Sequence, residues 1–317
     1  MGFNDFILLT GRSNPKLAKF IGKILKKEVF EPVTIFSDGE IRVKIAHNLR
    51  RRHVFVIQST CTPVNDNLME LIFMIDAAKR ASASEIIAVL PYCGYSRQDR
   101  KEMPRVPISS SVVARLIENA GADTIVTVDI HSEQQQGFIT GPWDNLYASY
   151  SLIPVIKSKR LKHLVVASPD KGGVKRATGY ARLLNAEGIA IVYKERDMAV
   201  NNKSEALEII GNVNGKDVLL VDDMLDTATT LVNAANLIKK RGARRILAST
   251  THGLFTGGAL EKISQSAIDE VLITDTIPSK PGVLQNKKIT VISVANLLAE
   301  AIRRIQTGES MSKDLIL

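Results

Sequence analysis

Residues 219–230 read LLVDDMLDTATT, an apolar run that feeds three aspartates and then places threonine at three of its last four positions. A plain turn after a buried strand needs neither the acids nor the hydroxyls. In open α/β sheets, ligands bind beyond the carboxyl ends of the strands. Carboxylates at such an end accept hydrogen bonds from sugar hydroxyls. Threonine hydroxyls and the free N–H groups of a following helix hold a phosphate, and the helix dipole favours its charge. Asp222, Asp223, Asp226, Thr227, Ala228, Thr229 and Thr230 therefore read as a sugar-phosphate site, with a helix N-cap as the simpler role for Asp226.

The same arrangement recurs outward from this stretch. Short Ile/Val-rich runs such as FILLT, HVFVIQS, IIAVLPY, HLVVAS, IAIVY and RRILAST alternate with helical patterns such as NDNLMELIFMIDAAKR, ISSSVVARLIENAG and TTLVNAANLIKKRG. The last two patterns stop at Gly121 and Gly242, as helices often do. Near-continuous apolar strands alternating with helices predict parallel sheets covered on both faces. The pattern is also doubled: ADTIVTVDIHSE resembles GKDVLLVDDMLDT, and ASASEIIAVLPY resembles RGARRILASTTH. The sequence predicts an α/β protein of two similar domains, residues 1–147 and 148–317, each a mostly parallel sheet flanked by helices. The final helix, NLLAEAIRRI, is expected to return to the first domain.

The 317 residues, 45% of them hydrophobic, are enough for two cores. A net charge of +9 admits nucleic acid, anionic membranes or small anionic substrates. Aromatic residues are only 5%, which leaves no stacking platform for bases. No stretch approaches the roughly 20 apolar residues of a membrane helix. Phosphates are thus the expected partners, rather than nucleic acid or a membrane. No basic segment precedes a long apolar core at the N-terminus, so no secretory signal is expected. Cys61 and Cys93 read as free cytosolic thiols.

Other strand ends carry further candidates. FSDGE, Phe36–Glu40, is a glycine turn between two acids, ordinary loop chemistry taken alone. PYCGYSRQDRK, Pro91–Lys101, is either a solvated charged loop or a nucleotide contact, with Arg97 suited to a polyphosphate and Gln98 to an adenine edge. DIHSEQQQGF sets His131 just past Asp129, and SPDKGGVKRA sets Asp170 ahead of a glycine pair. A lone histidine is more often structural than a ligand. An Asp and a His at strand ends nevertheless suffice for Mg²⁺ carried in by ATP, which keeps several waters and takes few protein ligands.

Taken in order, these motifs resemble class I ribose-phosphate pyrophosphokinases. The likeness spans essentially the whole chain and includes DNLMEL, PY.GY.RQDRK, THG.F.GGA, KER at Lys194–Arg196 and the tail LAEAIRR...GES.S. It implies two phosphoribosyltransferase-like domains. It implies transfer of the β,γ-diphosphoryl group of ATP to the C1 hydroxyl of ribose 5-phosphate, giving phosphoribosyl diphosphate and AMP for nucleotide biosynthesis. By the same resemblance Phe36, Asp38, Gly39 and Glu40, lent by a neighbouring subunit, hold the nucleotide together with Arg97 and Gln98. His131 and Asp170 match the Mg²⁺ site, Lys194 and Arg196 the catalytic pair. Asp222, Asp223 and the run Asp226–Thr230, with Arg196, match the ribose 5-phosphate contacts. A cytoplasmic homo-oligomer, a hexamer built from dimers, is implied as well. The polar stretch KERDMAVNNKSEA after the strand IAIVY suits a loop that closes over the site.

The chain also departs from the family pattern. Asp197 and Met198 stand where basic residues are usual, Thr140 where an aspartate is common and Asn48 where a serine is common. Thr229 replaces the glycine of the ribose-phosphate loop. A β-branched residue disfavours positive φ, so the loop is expected either to keep its path and gain a hydroxyl donor, or to be distorted. Two alternatives follow. A phosphoribosyltransferase shares the ribose loop but leaves FSDGE, RQDRK and His131 unexplained. A non-catalytic regulatory paralogue carries damaged sites, of which Thr229 and Asp197 are examples, yet Lys194, Arg196, His131 and Asp170 are all retained.

Overall fold

Apolar runs become strands here because both of their faces are covered. In a computed structural model, which describes residues 6–195, 206–312 and 315, the run FILLT forms β1 (Phe6–Thr10) and is buried at every position. The chain divides into two compact units. One comprises residues 1–148, 276–278 and 293–317; the other comprises residues 149–275 and 279–292.

The first unit continues through β2 (Val29–Phe30), β3 (Val33–Ile35), β4 (Ile41–Val43), β5 (His53–Ile57), β6 (Glu85–Leu90), β7 (Thr124–Val128) and β8 (Trp143–Leu146). Six of these form one sheet in the order β2-β1-β5-β6-β7-β8, and every pairing in it is parallel. Strands β3 and β4 stand apart as an antiparallel pair. Three helices connect the sheet: α1 (Pro15–Leu25), α2 (Val64–Arg80) and α3 (Ser109–Ala120). The start of α1 is set locally, with Pro15 in its first turn and the Asn14 side chain accepting from the Leu17 N–H. Its core packs Leu9, Val54, Val56, Ile86 and Ala88 of the sheet against Leu71, Met74 and Ile75 of α2. Cys61 and Cys93 are both free and buried. Burial pushes the Cys93 thiol up to about 12, which makes it a structural apolar group rather than a nucleophile.

The second unit starts with α4 (Ser149–Ser158) and runs β9 (Val165–Ser168), α5 (Val174–Leu184), β10 (Gly188–Glu195), β11 (Ala206–Ile210), β12 (Asp217–Leu225), α6 (Thr229–Lys240), β13 (Arg245–Gly253), α7 (Ala259–Gln265), β14 (Glu270–Thr274) and β15 (Ile289–Ile292). Its sheet has the order β11-β10-β9-β12-β13-β14-β15. Only β11 is antiparallel to its neighbour, at one edge. Val218 and Leu220 of β12 and Ile246 and Ala248 of β13 pack beneath Leu231, Ala235 and Ile238 of α6. The chain then closes with α8 (Ala295–Thr307), which packs on α1 of the first unit. Arg303 and Arg304 grip Glu300 on α8, and these bonds, Arg303 first, hold the Glu300 carboxyl down at about 2. Among the described residues, no helix is long and apolar enough to cross a membrane.

Candidate functional site

The strand-end stretch at the centre of the sequence runs further than a strand followed by a turn. β12 stays extended through Asp222 and Asp223 to Leu225. Side chains alternate faces along a strand, so Val221, Asp223 and Leu225 are buried while Asp222 and Met224 are half-buried. The Asp222 carboxylate accepts the Asp223 N–H at 2.9 Å. Burial pushes the Asp222 carboxyl well above the usual range, the nearby charges of Asp223 and Asp170 push it further, and Arg176 opposes them. Arg176 lies on α5 and sequence reasoning missed it. The basic pair that follows the glycines in DKGGVKRA does not by itself set it apart from a solvated cation.

Left-handed backbone occurs at Ala228, with φ 61°, and not at Thr229. The departure from the family's glycine therefore falls on the first residue of α6, where the backbone is helical. The loop keeps an allowed path with threonine in place. Thr229 and Thr230 are exposed at the start of α6, and no side chain caps that helix. Its first-turn N–H groups and its dipole face the strand end, which is the arrangement that attracts a phosphate. Asp226 does not cap α6. Its carboxylate accepts the Thr256 hydroxyl, and its carbonyl accepts the Thr256 N–H at 3.0 Å.

Asp170 sits in the turn after β9, exposed. One of its carboxylate oxygens accepts the N–H groups of Gly172 (2.8 Å) and Gly173 (3.1 Å). The glycine pair thus holds the aspartate in place. At Gly173 a Cβ would lie 2.5 Å from Ser168 Oγ, so the close approach requires glycine. The Lys171 ammonium lies 5.6 Å from the centre of the Tyr193 ring. Lys194 is on β10, in register with Leu207 of β11. Arg196 and most of the polar segment after it, residues 196–205, lie outside the described residues.

The first domain carries the other candidates. FSDGE forms the tight end of the β3–β4 hairpin. Phe36 N–H donates to Glu40 O, Gly39 N–H to Phe36 O, and Glu40 N–H to the Asp38 carboxylate. Gly39 has φ 95°, a conformation that favours glycine. The hairpin end projects into solvent, with Phe36 48% exposed and the Arg42 guanidinium 5.7 Å from its ring. Arg97 and Gln98 are exposed in the loop after β6. Gln98 is anchored at both ends, its carbonyl to Ser110 and its side-chain oxygen to the Ser109 hydroxyl at 2.6 Å. His131 is exposed just beyond β7. Ahead of it, Asp129 takes φ 43°, and its buried carboxylate accepts the Ala148 N–H. Asp129 is thus part of the turn that presents His131. At the end of β1, Glu70 of α2 is fully buried and accepts Arg12 Nε (2.6 Å), Arg12 N–H (2.8 Å) and Gln58 Nε2 (2.9 Å).

The chain thus defines an α/β protein of two domains with mostly parallel sheets flanked by helices, in the second of which an acidic strand end leads through a left-handed residue to an uncapped helix. Comparison with known proteins narrows this. Residues 6–121 match the family model described as the N-terminal domain of ribose phosphate pyrophosphokinase, and residues 197–315 match the phosphoribosyl synthetase-associated domain. A ribose-phosphate pyrophosphokinase of Haemophilus ducreyi is 49% identical over 311 residues, covering 97% of this chain and 98% of that protein. That of Wolinella succinogenes is 48% identical over 309 residues, covering 96% and 97%. The crystal structure of phosphoribosylpyrophosphate synthetase from Mycobacterium smegmatis superposes with a TM-score of 0.89 at 37% identity, covering 96% of this chain and all of that one. The chain belongs to the ribose-phosphate pyrophosphokinase family.

Proposed function

We propose that the chain divides a diphosphoryl transfer between its domains, the first binding ATP and the second binding ribose 5-phosphate. The reaction moves the β,γ-diphosphoryl group of ATP to the C1 hydroxyl of ribose 5-phosphate and releases AMP. The substrate hydroxyl is the nucleophile, so no side chain need form a covalent bond. The protein's tasks are in-line positioning and charge stabilisation.

The observation that carries this reading is the β12–α6 turn. Asp222 and Asp223 lie toward the carboxyl end of β12, and the uncapped N–H groups of α6 with Thr227, Thr229 and Thr230 suit a phosphate. The carboxylates accept from the ribose hydroxyls, and Ala228 gives the backbone its bend. Lys194 and Arg196 are assigned to neutralise charge growing on the transferred group and on the leaving AMP. In the first domain, Arg97 meets the polyphosphate and the anchored Gln98 the adenine edge. Phe36, Asp38, Gly39 and Glu40 are assigned to adenine as well, in a subunit beside the one that lends them. The exposure of the hairpin end supports such lending.

Among the described residues no three potential ligands come together as a ready-made metal site, so an ion carried in by ATP and its waters would need few protein ligands. His131 and Asp170 are the assigned protein ligands of Mg²⁺, a small set that fits an ion arriving with ATP and its waters. When bound, Mg²⁺ supplies charge neutralisation on the phosphate oxygens. Two buried free thiols accord with the cytoplasm as the working compartment, and a homo-oligomer, a hexamer built from dimers, is the assigned assembly.

The test is AMP formation from ATP with Mg²⁺, measured with and without ribose 5-phosphate. Sugar-dependent AMP is the expected result; ATP consumption indifferent to the sugar overturns the reading. Mixing Asp38→Ala with Lys194→Ala protein tests the shared site. Activity should return once subunits exchange, and no recovery despite proven exchange rejects the lending.

A further inference from the structure

The segment THGLFTGGALEK, residues 251–262, carries part of the family likeness but has no role so far. In the fold it braces the ribose-phosphate turn. The N–H groups of Leu254 and Phe255 donate to the Leu225 carbonyl at 2.8 and 3.2 Å. Thr256 then holds Asp226 through both its N–H and its hydroxyl. From α7, Lys262 Nζ donates to the Thr227 carbonyl at 3.1 Å and to Thr229 Oγ1 at 3.0 Å. The Thr227 hydroxyl donates to the same Thr229 oxygen at 3.3 Å.

In both of these bonds the Thr229 oxygen is the acceptor, so its own hydrogen is left to serve another acceptor. A hydroxyl whose lone pair holds an ammonium proton is a stronger donor, because chained hydrogen bonds polarise one another. Lys262 also sets a positive charge beside a turn where the N–H groups of α6 already favour an anion. All three effects converge on the place where the 5-phosphate would sit.

We propose that Lys262 is a positioning residue for ribose 5-phosphate. It fixes the Thr227–Thr229 turn, aims the Thr229 hydroxyl at the 5-phosphate and adds charge beside that dianion. This rests on the assignment of the turn to ribose 5-phosphate. It also gives Thr229 a purpose: the residue that replaces glycine is the one that Lys262 reaches.

Steady-state kinetics of Lys262→Ala tests the idea. The 5-phosphate is remote from the reacting C1 hydroxyl, so the loss falls on binding shared by ground and transition states. KM for ribose 5-phosphate should rise about tenfold or more, the scale of a lost charge-assisted bond. Turnover should change by less than about threefold and KM for ATP should not move. Lys262→Arg, which keeps charge and reach, should restore most of the affinity. Lys287→Ala removes an exposed positive charge elsewhere in the domain and should leave both constants unchanged. In a Thr229→Gly background the penalty of Lys262→Ala should shrink, because the two residues share a bond. An unchanged KM for ribose 5-phosphate, an equal rise for ATP, or fully multiplicative effects of the two substitutions would overturn the proposal. The two readings separate in the wild-type assay. Absence of sugar-dependent AMP defeats the functional assignment, whereas its presence with a normal Lys262→Ala enzyme defeats only this one. Titration calorimetry of ribose 5-phosphate into the two proteins measures the same difference without turnover.

Discussion

At the end of β1 the buried carboxylate of Glu70 is met by donors of its own domain, from Arg12 and Gln58. At the end of β12 the Asp222 carboxyl meets burial, Asp223 and Asp170, with Arg176 as the opposing charge. Both strand ends belong to parallel sheets over aliphatic cores. The first arrangement stabilises the protein because its charge is matched by hydrogen bonds. The second concentrates like charges, at a cost to stability. An acid held with its partners serves the fold; acids crowded together at a strand end cost it stability.

The largest effect that bears on this contrast is catalytic. If the second domain is where charge is stabilised in the transition state, Lys194→Ala should lower turnover on the order of a hundredfold or more, roughly 3 kcal/mol of barrier, with KM for ATP nearly constant. Near-normal turnover would remove Lys194 from the mechanism.

Next in size is a pair of substitutions that should part company. Glu70→Gln disturbs a buried acceptor that Arg12 and Gln58 require, and should cost about 2 kcal/mol in urea unfolding, with KM for ribose 5-phosphate unmoved. Asp222→Asn removes a charge that its surroundings disfavour, so stability should hold or rise. KM for ribose 5-phosphate should climb about tenfold as a charged acceptor becomes a neutral one. Similar behaviour of the two variants would erase the distinction.

A smaller change is expected from Thr229→Gly. Loss of a neutral hydrogen bond is worth roughly 0.5–1.5 kcal/mol, so KM for ribose 5-phosphate should rise by about tenfold at most, or stay level. A tenfold fall would mean that threonine obstructs the turn, and would favour a regulatory, non-catalytic role for the chain.

The smallest effect lies at Glu300, a matched acid like Glu70 but partly exposed. Its folded carboxyl titrates at about 2, below its ordinary value of 4.5. Such a group contributes stability that is fully present above the unfolded value and is lost as pH falls through the folded one. Solvent screening limits the contribution to under about 1 kcal/mol. Glu300→Gln should therefore lose stability at neutral pH and match the wild type near pH 2.

Much of the fold was legible because buried parallel strands are written as unbroken Ile/Val/Leu runs, and helices as periodic ones. TTLVNAANLIKKRG predicted α6 to within a residue or two of its ends. The short strands β2 and β8 carried too little pattern to be noticed. Asp170 drew attention by its place after β9, and Asp222 by an apolar run that the structure continues through it to Leu225. The left-handed residue was not legible: the family's glycine drew attention to Thr229, whereas backbone geometry assigns the strain to Ala228. Arg176 and Lys262 were missed for a common reason. Each acts across elements that are distant in sequence, and nothing local distinguishes such a cation from a solvated one.

The packing of α8 on α1 has a consequence for how the chain is made. Leu17 and Ile21 of α1 and Leu298 and Ile302 of α8 are all buried. On the ribosome, α1 emerges early, yet the helix that covers it follows the entire second domain. Synthesis proceeds at about 5–20 residues per second, so this apolar surface stays uncovered for many seconds. The second domain can fold as it leaves the ribosome, while the first must wait for the last helix. A stalled or truncated product ending before Ala295 would carry that surface bare, as a handle for chaperones and proteases.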